Sequence, residues 1–164
     1  MQVLKFGGSS VANSENINKV VSIVQKASQK DKTVLVISAL GGITDLLITA
    51  ARQAATGDES YAEHLTVLEK RHLSAVQELI PVARQSSVLS EVKKQCNEIE
   101  DICNGIFLLR ELSARTKDRV VSFGELMSAK IISAKLTADG IENSFKDSRE
   151  LIRTDLQYGN AKVD

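Results

Sequence analysis

The feature that most constrains the fold is a repeated order of elements: a short apolar strand, a glycine-containing turn and an amphipathic helix. The first strand is predicted at Gln2–Phe6 and runs into a glycine pair. The second, at Thr33–Ile37, is almost continuously apolar, which is typical of a parallel strand covered on both faces. One helix fits between them and gives a βαβ unit with a right-handed crossover. We therefore expect an α/β protein with a mainly parallel sheet.

The turn after the first strand has the composition of an anion-binding site. Gly7 and Gly8 can adopt positive φ angles, and the N–H groups of such a turn can converge on an anion. Asn13 or Ser14 is a suitable N-cap for the helix that follows, and Lys5 adds a positive charge. This order favours phosphate binding, although an ordinary βα turn with a solvated lysine explains the same residues equally well. The turn matches neither a Walker A loop nor a G-x-G-x-x-G motif.

A second turn of the same kind, SALGGITD, follows the second strand and leads into a helix predicted from about Ile43 to Ala55. Ligands in open α/β sheets bind at the carboxyl ends of the strands. The two turns follow consecutive strands, so we expect them to line one site.

Residues 58–114 contain no strand pattern. Apolar residues spaced by three and four predict one helix that stops at Pro81 and a second helix around Leu89 to Ile106. Joined by a short break, the two are expected to form an antiparallel helical hairpin. Cys96 and Cys103 fall on the second helix about 10 Å apart, which is too far for a disulfide. We expect both to be reduced thiols in the core.

The C-terminal third begins with a helix that is predicted to end at Gly140, a favourable residue just after a helix. The segment IENSFKD, residues 141–147, is predicted to be a third strand near a sheet edge, and the tail beyond it is polar and irregular. Three strands are few for a sheet that needs cover on both faces. The chain is therefore expected to be part of a larger sheet domain.

Charge and composition exclude several functions. The chain has 21 basic and 21 acidic residues and no basic stripe, so nucleic acid is not an expected partner. No apolar run is long enough to cross a membrane. The first strand starts directly after Met1 and leaves no room for a signal peptide, so cytoplasm is the expected compartment. The two histidines and two cysteines show no metal-binding spacing, and no metal ligand is predicted.

Four motifs resemble, in order, those of the aspartokinase family of the amino-acid kinase fold. They are KFGGSS at 5–10, SALGGITDLL at 38–47, SFGELMSA at 122–129 and TDLQYGNAKVD at 154–164. The resemblance covers essentially the whole chain, and Ser9 stands where the family usually has threonine. The N-terminal stretch with the helical insert is most similar to bifunctional aspartokinase–homoserine dehydrogenases.

This resemblance implies a three-layer α/β/α sandwich with a mainly parallel sheet. Residues 1–164 would be the N-terminal half of a catalytic domain with the helical insert at about 58–114; the nucleotide-binding half, the regulatory domains and the dehydrogenase would lie outside the chain. The implied reaction is ATP-dependent phosphorylation of L-aspartate to 4-phospho-L-aspartate, the first step towards lysine, threonine and methionine. It implies Mg²⁺, NAD(P) only where a dehydrogenase is present, and a homo-oligomeric complete enzyme. The chain alone is expected to be inactive.

The resemblance also implies a role for each matching residue. Lys5 would contact the transferring phosphate as a catalytic group. Backbone and side-chain donors would bind the ATP phosphates, and a second set would bind aspartate through its carboxylates and its ammonium. The phosphate set is Lys5, Gly7, Gly8 and Ser9; the aspartate set is Ser38, Thr44 and Glu125.

Structural roles compete with these assignments. Ser122 and Glu125 spell S-x-x-E, the pattern of a capping box at a helix N-terminus. Ser38 and Thr44 also suit a turn and an N-cap. Two other functions stay open as well: an amino-acid kinase that acts on glutamate, acetylglutamate, carbamate or a nucleotide, and a non-catalytic module that binds an amino acid. Glu125 and the long helical insert argue against the other kinases.

Overall fold

The computed structural model describes all 164 residues and contains two strands and six α-helices. A 3-10 turn at Gly8–Val11 separates the first strand from the first helix. In chain order the elements are β1 (Gln2–Phe6), α1 (Ser14–Ser28), β2 (Thr33–Ile37), α2 (Ile43–Thr56), α3 (Tyr61–Leu79), α4 (Val82–Leu109), α5 (Ala114–Ala138) and α6 (Ser148–Leu151).

The sheet is a parallel pair in which Lys5 of β1 lies opposite Val36 of β2. This confirms the predicted βαβ unit. Residues along both strands alternate between the two faces. One face packs against the core through Leu4, Phe6, Leu35 and Ile37. The other face is open, and its valines are 44–61% exposed: Val3, Val34 and Val36.

Helix α1 begins where its capping residue predicts. The side chain of Asn13 accepts a hydrogen bond from the backbone N–H of Asn16 at 2.9 Å, which satisfies one of the free donors of the first turn. Its buried residues recur at helical spacing: Ile17, Val20, Val21 and Val24. This stripe joins the core beneath the covered face of the sheet.

The predicted helical hairpin is confirmed as α3 and α4, which are separated only by Ile80 and Pro81. The two helices run antiparallel, since the Tyr61 hydroxyl donates to Asn104 at one end and Glu69 pairs with Lys93 nearer the turn, at 3.0 Å. Cys96 and Cys103 are free and buried, as expected. Burial raises the pKa of the Cys96 thiol to about 12 and that of Cys103 to about 11, so both are unreactive core groups.

Helix α5 passes through the middle of the molecule and contacts α2, α3 and α4 as well as β2. Its inward residues are almost fully buried, among them Val120, Phe123, Met127, Ile131 and Ile132. The helix stops before Gly140, whose φ of 78° is in the left-handed region, as predicted. No helix in the structure combines the length and the apolar character that crossing a membrane requires.

The predicted third strand at residues 141–147 is wrong. The segment has no partner strand and therefore forms no ladder of backbone hydrogen bonds. It is instead tied to the end of α5, where the Asn143 side chain donates to the carbonyl oxygens of Ser133 and Ile141. The tail beyond it is exposed and contains one isolated antiparallel bridge, between Thr154 and Val163.

Candidate functional site

The two glycine turns touch each other at the carboxyl end of the sheet, as the order of elements predicted. A Cβ atom on Gly8 would lie 3.2 Å from the carbonyl oxygen of Ala39, and one on Gly41 would lie 2.9 Å from the Cβ of Ala12. Real Cβ atoms essentially never approach as closely as the second distance, and the first is tighter than most Cβ contacts. Glycine at these positions therefore permits close backbone contact between the turns.

The reason expected for the first glycine pair is wrong. Gly7 has φ −79° and ψ 173°, which is extended backbone open to any residue, and Gly8 does not have a positive φ either. The chain leaves β1 extended and closes a 3-10 turn, in which the Ser10 N–H donates to the Gly7 carbonyl at 2.9 Å. The left-handed residue of the site is Gly42, with φ 78°, at the N-cap of α2.

Helix α5 forms the third wall of the site. A Cβ atom on Gly124 would lie 2.9 Å from the Cβ of Ala39 and 3.3 Å from a methyl of Ile43. The absence of a side chain at this helical position lets α5 approach the second turn. The adjacent Glu125 is partly buried, and its carboxylate accepts a hydrogen bond from the Ala39 N–H at 3.4 Å. The structure therefore places a carboxylate beside the two turns.

The capping interpretation of Ser122 and Glu125 is wrong, because both residues lie inside α5. The helix begins at Ala114, and its N-cap is Ser113, whose hydroxyl oxygen accepts from the Thr116 N–H at 3.1 Å. The Ser122 hydroxyl donates to the Arg119 carbonyl within the same helix. The Glu125 carboxylate therefore does not cap a helix N-terminus.

Ser38 and Thr44 stand on either side of the second turn, and both are partly buried. The Ser38 N–H donates to the Phe6 carbonyl at 3.1 Å and extends the sheet ladder by one residue. Thr44 lies in the first turn of α2, whose N-cap is Gly42. An N-cap role for Thr44 is therefore wrong. A turn role for Ser38 stays a prediction, since its N–H continues the sheet ladder.

Lys5 and Ser9 are both exposed. Lys5 is on the open face of the sheet, two residues before Gly7, and it takes part in none of the ion pairs of the chain. Ser9 lies in the 3-10 turn, where its carbonyl accepts from the Asn16 side chain at 3.0 Å. The structure thus brings Gly8, the second turn and Glu125 together and leaves Lys5 at the neighbouring sheet face.

The helical hairpin contacts the segment between the first turn and α1. The Arg71 guanidinium of α3 donates to the Ala12 carbonyl at 3.4 Å. Beside it, a cavity of about 230 Å³ lies between α3 and the start of α1, lined by Asn13, Lys70 and Ser74 among others. The insert therefore contacts the site through the turn that precedes α1.

Sequence reasoning gave no role to Ser128, which lies one helical turn after Glu125. Its side chain is fully buried, and its hydroxyl donates to the Ser38 carbonyl at 2.6 Å. The available signal was a serine among the apolar residues of α5, in the same motif as Glu125. Sequence reasoning also gave no role to Gly124. Glycine weakens the interior of a helix, so its presence in α5 was a signal of close packing.

The residues of the chain do not form a metal site by themselves. No three His, Cys, Asp or Glu side chains lie close enough together to hold a metal ion. The chemistry of the site therefore rests on one carboxylate, backbone amides, hydroxyl groups and a nearby lysine.

Comparison with known proteins gives a consistent picture. The family model described as "Amino acid kinase family" matches residues 1–163. Aspartokinase 1, chloroplastic, of Arabidopsis thaliana is 33% identical over 152 residues, which are 91% of this chain and 26% of the relative. The bifunctional aspartokinase/homoserine dehydrogenase 1, chloroplastic, of the same plant is 32% identical over 92% of this chain and 16% of its own length.

The structural neighbours agree with the sequence relatives. The crystal structure of E. coli aspartokinase III in complex with aspartate and ADP superposes with a TM-score of 0.86 at 27% identity. That match covers all of this chain and 35% of the neighbour. It confirms the predicted fold class. The chain thus spans about a quarter to a third of the length of the aspartokinases it matches and a smaller share of the bifunctional enzyme.

Proposed function

The chain belongs to the amino acid kinase family, and we propose that it is the N-terminal half of the catalytic domain of an aspartokinase. The complete enzyme would transfer the γ-phosphoryl group of ATP to the β-carboxylate of L-aspartate. The proposal is supported by the relatives that span the chain, which are aspartokinases or bifunctional enzymes containing one. A solved neighbour with the same fold holds aspartate and ADP.

The observation that carries the proposal is the position of Glu125 at the contact of the two glycine turns. A partly buried carboxylate that is held against a turn by one backbone N–H keeps further acceptor capacity for an ammonium group. Hydroxyl groups on both sides of the same turn, from Ser38 and Thr44, can donate to carboxylate oxygens. Together they provide one negative charge for the ammonium group and hydroxyl donors for the carboxylates, which would select a small amino acid with an acidic side chain.

Phosphoryl transfer would take place on the side of the first turn. It requires positioning and charge neutralisation rather than covalent help from the protein. Gly7, Gly8 and Ser9 would present donors to the phosphates, and Lys5 would supply positive charge from the adjacent strand. ATP enters as a substrate, and Mg²⁺ would arrive with its phosphates, because this chain has no carboxylate set for it. No residue here is assigned to the metal.

The isolated chain should not turn over. Catalysis by positioning depends on holding both reactants together, and the proposed site accounts only for aspartate and the transferring phosphate. The check is hydroxamate capture of acyl phosphate after incubation with ATP, Mg²⁺ and aspartate. Turnover at about 1–100 s⁻¹, which is typical of kinases, would show that the half-site assignment is mistaken.

The substrate is tested on the full-length protein that contains this chain. Hydroxamate capture with aspartate, glutamate, N-acetylglutamate and carbamate as acceptors separates aspartokinase from the other amino-acid kinases. Activity on aspartate alone supports the proposal, whereas a preference for another acceptor assigns a different kinase. Binding of an amino acid without any phosphorylation would favour a non-catalytic module.

The role of Glu125 is tested by Glu125→Gln with Glu142→Gln, an exposed site outside both turns, as the matched control. A charged hydrogen-bond partner typically contributes about 1.5–3 kcal/mol, so the KM for aspartate should rise about 10- to 100-fold. The KM for ATP should change less than about twofold. Unchanged KM values for both substrates, with a modest loss of stability, would remove the assignment.

The remaining expectations concern the complete protein. We propose that it is a homo-oligomer in the cytoplasm and that NAD(P) is used only if a dehydrogenase domain follows. Light scattering of the full-length protein tests the oligomeric state, and the location of a fluorescently tagged protein tests the compartment.

A further inference from the structure

Glu125 and Ser128 hold opposite ends of one peptide group. Glu125 accepts from the Ala39 N–H, and Ser128 donates to the Ser38 carbonyl. This carbonyl and this N–H belong to the same peptide bond, the one that joins Ser38 to Ala39. Because residues three apart on a helix lie on the same face, a single turn of α5 contacts both polar groups of that peptide.

The contact at the Ser128 end is the shorter of the two. The Ser128 hydroxyl is 2.6 Å from the carbonyl oxygen, whereas the Glu125 carboxylate is 3.4 Å from the nitrogen. Ser128 is also fully buried, while Glu125 is partly exposed. A short bond from a buried, fixed donor restrains the peptide more than a long bond from a partly exposed carboxylate.

The rest of the turn leaves the peptide few other restraints. Ser38 is tied to β1 only through its N–H, which donates to Phe6. A rotation of the peptide plane after Ser38 would therefore leave the sheet ladder intact. Gly124 permits the approach of α5, but it has no side chain with which to hold the peptide.

We propose that Ser128 is a positioning residue: its buried hydroxyl fixes the orientation of the Ser38–Ala39 peptide and thereby aligns the Ser38 side chain and the Ala39 N–H with the Glu125 carboxylate. The expected effect of Ser128 on aspartate binding rests on the proposed function. The orientation of the peptide itself is a property of the chain and is measurable without substrate.

The first experiment is amide hydrogen exchange of the Ala39 N–H by NMR, in the chain and in its Ser128→Ala variant. Ser22→Ala is the matched control, because the Ser22 hydroxyl donates only within α1, to the Asn18 carbonyl. We expect Ala39 exchange to accelerate at least tenfold in Ser128→Ala relative to amides of α1 and α4, and to stay unchanged in Ser22→Ala. Equal acceleration of all these amides, or none at Ala39, overturns the proposal. If Ser128→Ala does not fold, Ser128→Cys, with a weak donor of similar size, is measured against the same criterion.

The second experiment uses the full-length protein and separates positioning from stability. Ser128→Ala should raise the KM for aspartate about five- to tenfold and leave the KM for ATP within about twofold, since the affected peptide lies beside Glu125. Equal KM values in wild type and variant, with only a lower melting temperature, would make Ser128 a structural residue and contradict the proposal. If the protein phosphorylates no aspartate at all, the proposed function fails and the exchange result alone decides the role of Ser128.

Discussion

The helical hairpin and the two-stranded sheet bury their apolar surfaces to different extents. Helices α3 and α4 cover their apolar stripes against each other and against α2 and α5. The sheet buries only one face, and the valines of its other face stay 44–61% exposed. The site lies between these regions, where α5 meets the turns that leave the strands. Helical packing therefore positions Glu125, and the turns supply the backbone groups around it.

The largest effect is expected on the sheet side of this comparison. In the full-length protein, Lys5→Met removes a positive charge from the proposed phosphate site, and loss of one such contact typically lowers kcat about 10²- to 10³-fold. Lys32→Met, an exposed lysine just before β2, is the control and should be nearly silent. A decrease in kcat of less than about tenfold, in a folded variant, would mean that the open face takes no part in catalysis.

The helical side should be sensitive to acid through His72. Burial lowers the pKa of this fully buried histidine to about 4, and its Nε2 has no hydrogen-bond partner. The unfolded state, with an ordinary pKa near 6.5, binds the proton first as the pH falls. The stability that neutral His72 contributes is therefore complete above about pH 6.5 and decreases down to about pH 4, by about 3 kcal/mol in all.

Urea unfolding between pH 7.5 and pH 4.5 measures how steeply the free energy of unfolding decreases as the pH falls. His72→Leu should flatten this decrease over that range, whereas His64→Leu, at a partly exposed position of the same helix, should not. If both variants keep the slope of the parent chain, the acid sensitivity comes from other groups.

Two helical glycines sharpen the comparison further. Gly124→Ala places a Cβ 2.9 Å from that of Ala39 and should lower the free energy of unfolding by about 1–3 kcal/mol, because overpacking outweighs helix propensity. Gly105→Ala in α4 meets no atom within 4 Å and should raise it by about 0.5–1 kcal/mol. Thermal unfolding of both variants gives the sign. A Gly124→Ala variant that is at least as stable as the parent chain would mean that α5 is not tightly packed against the second turn.

Local pattern predicted the elements that depend on local interactions. The spacing of apolar residues predicted α1, α3 and α4, and Asn13 capped its helix as expected. The segment 141–147 failed because a strand depends on a partner, and its composition contains no information about whether one is present. The capping interpretation of Ser122 failed because S-x-x-E also occurs inside a helix, as it does in α5.

For the site as well, features set by local order were predicted and features set by distant contacts were not. The order of strand and turn predicted that the two glycine turns would lie together, because parallel strands end at one edge. The positive φ expected of Gly7 and Gly8 was wrong. For Gly8 the constraint is instead crowding by the Ala39 carbonyl, which depends on packing that sequence spacing does not encode. Ser128 was missed for the same reason: its partner, Ser38, is 90 residues away along the chain.

The most direct test of the account is an NMR titration of the ¹⁵N-labelled chain with aspartate up to about 10 mM, a range suited to millimolar affinity. The account predicts saturable shifts in the amides of Ser38 to Gly42 and of Glu125, with α3 and α4 unaffected, and loss of these shifts in Glu125→Gln. Shifts that centre on the helical hairpin, or that persist unchanged in Glu125→Gln, would contradict the claim that the contact between α5 and the glycine turns is the aspartate site.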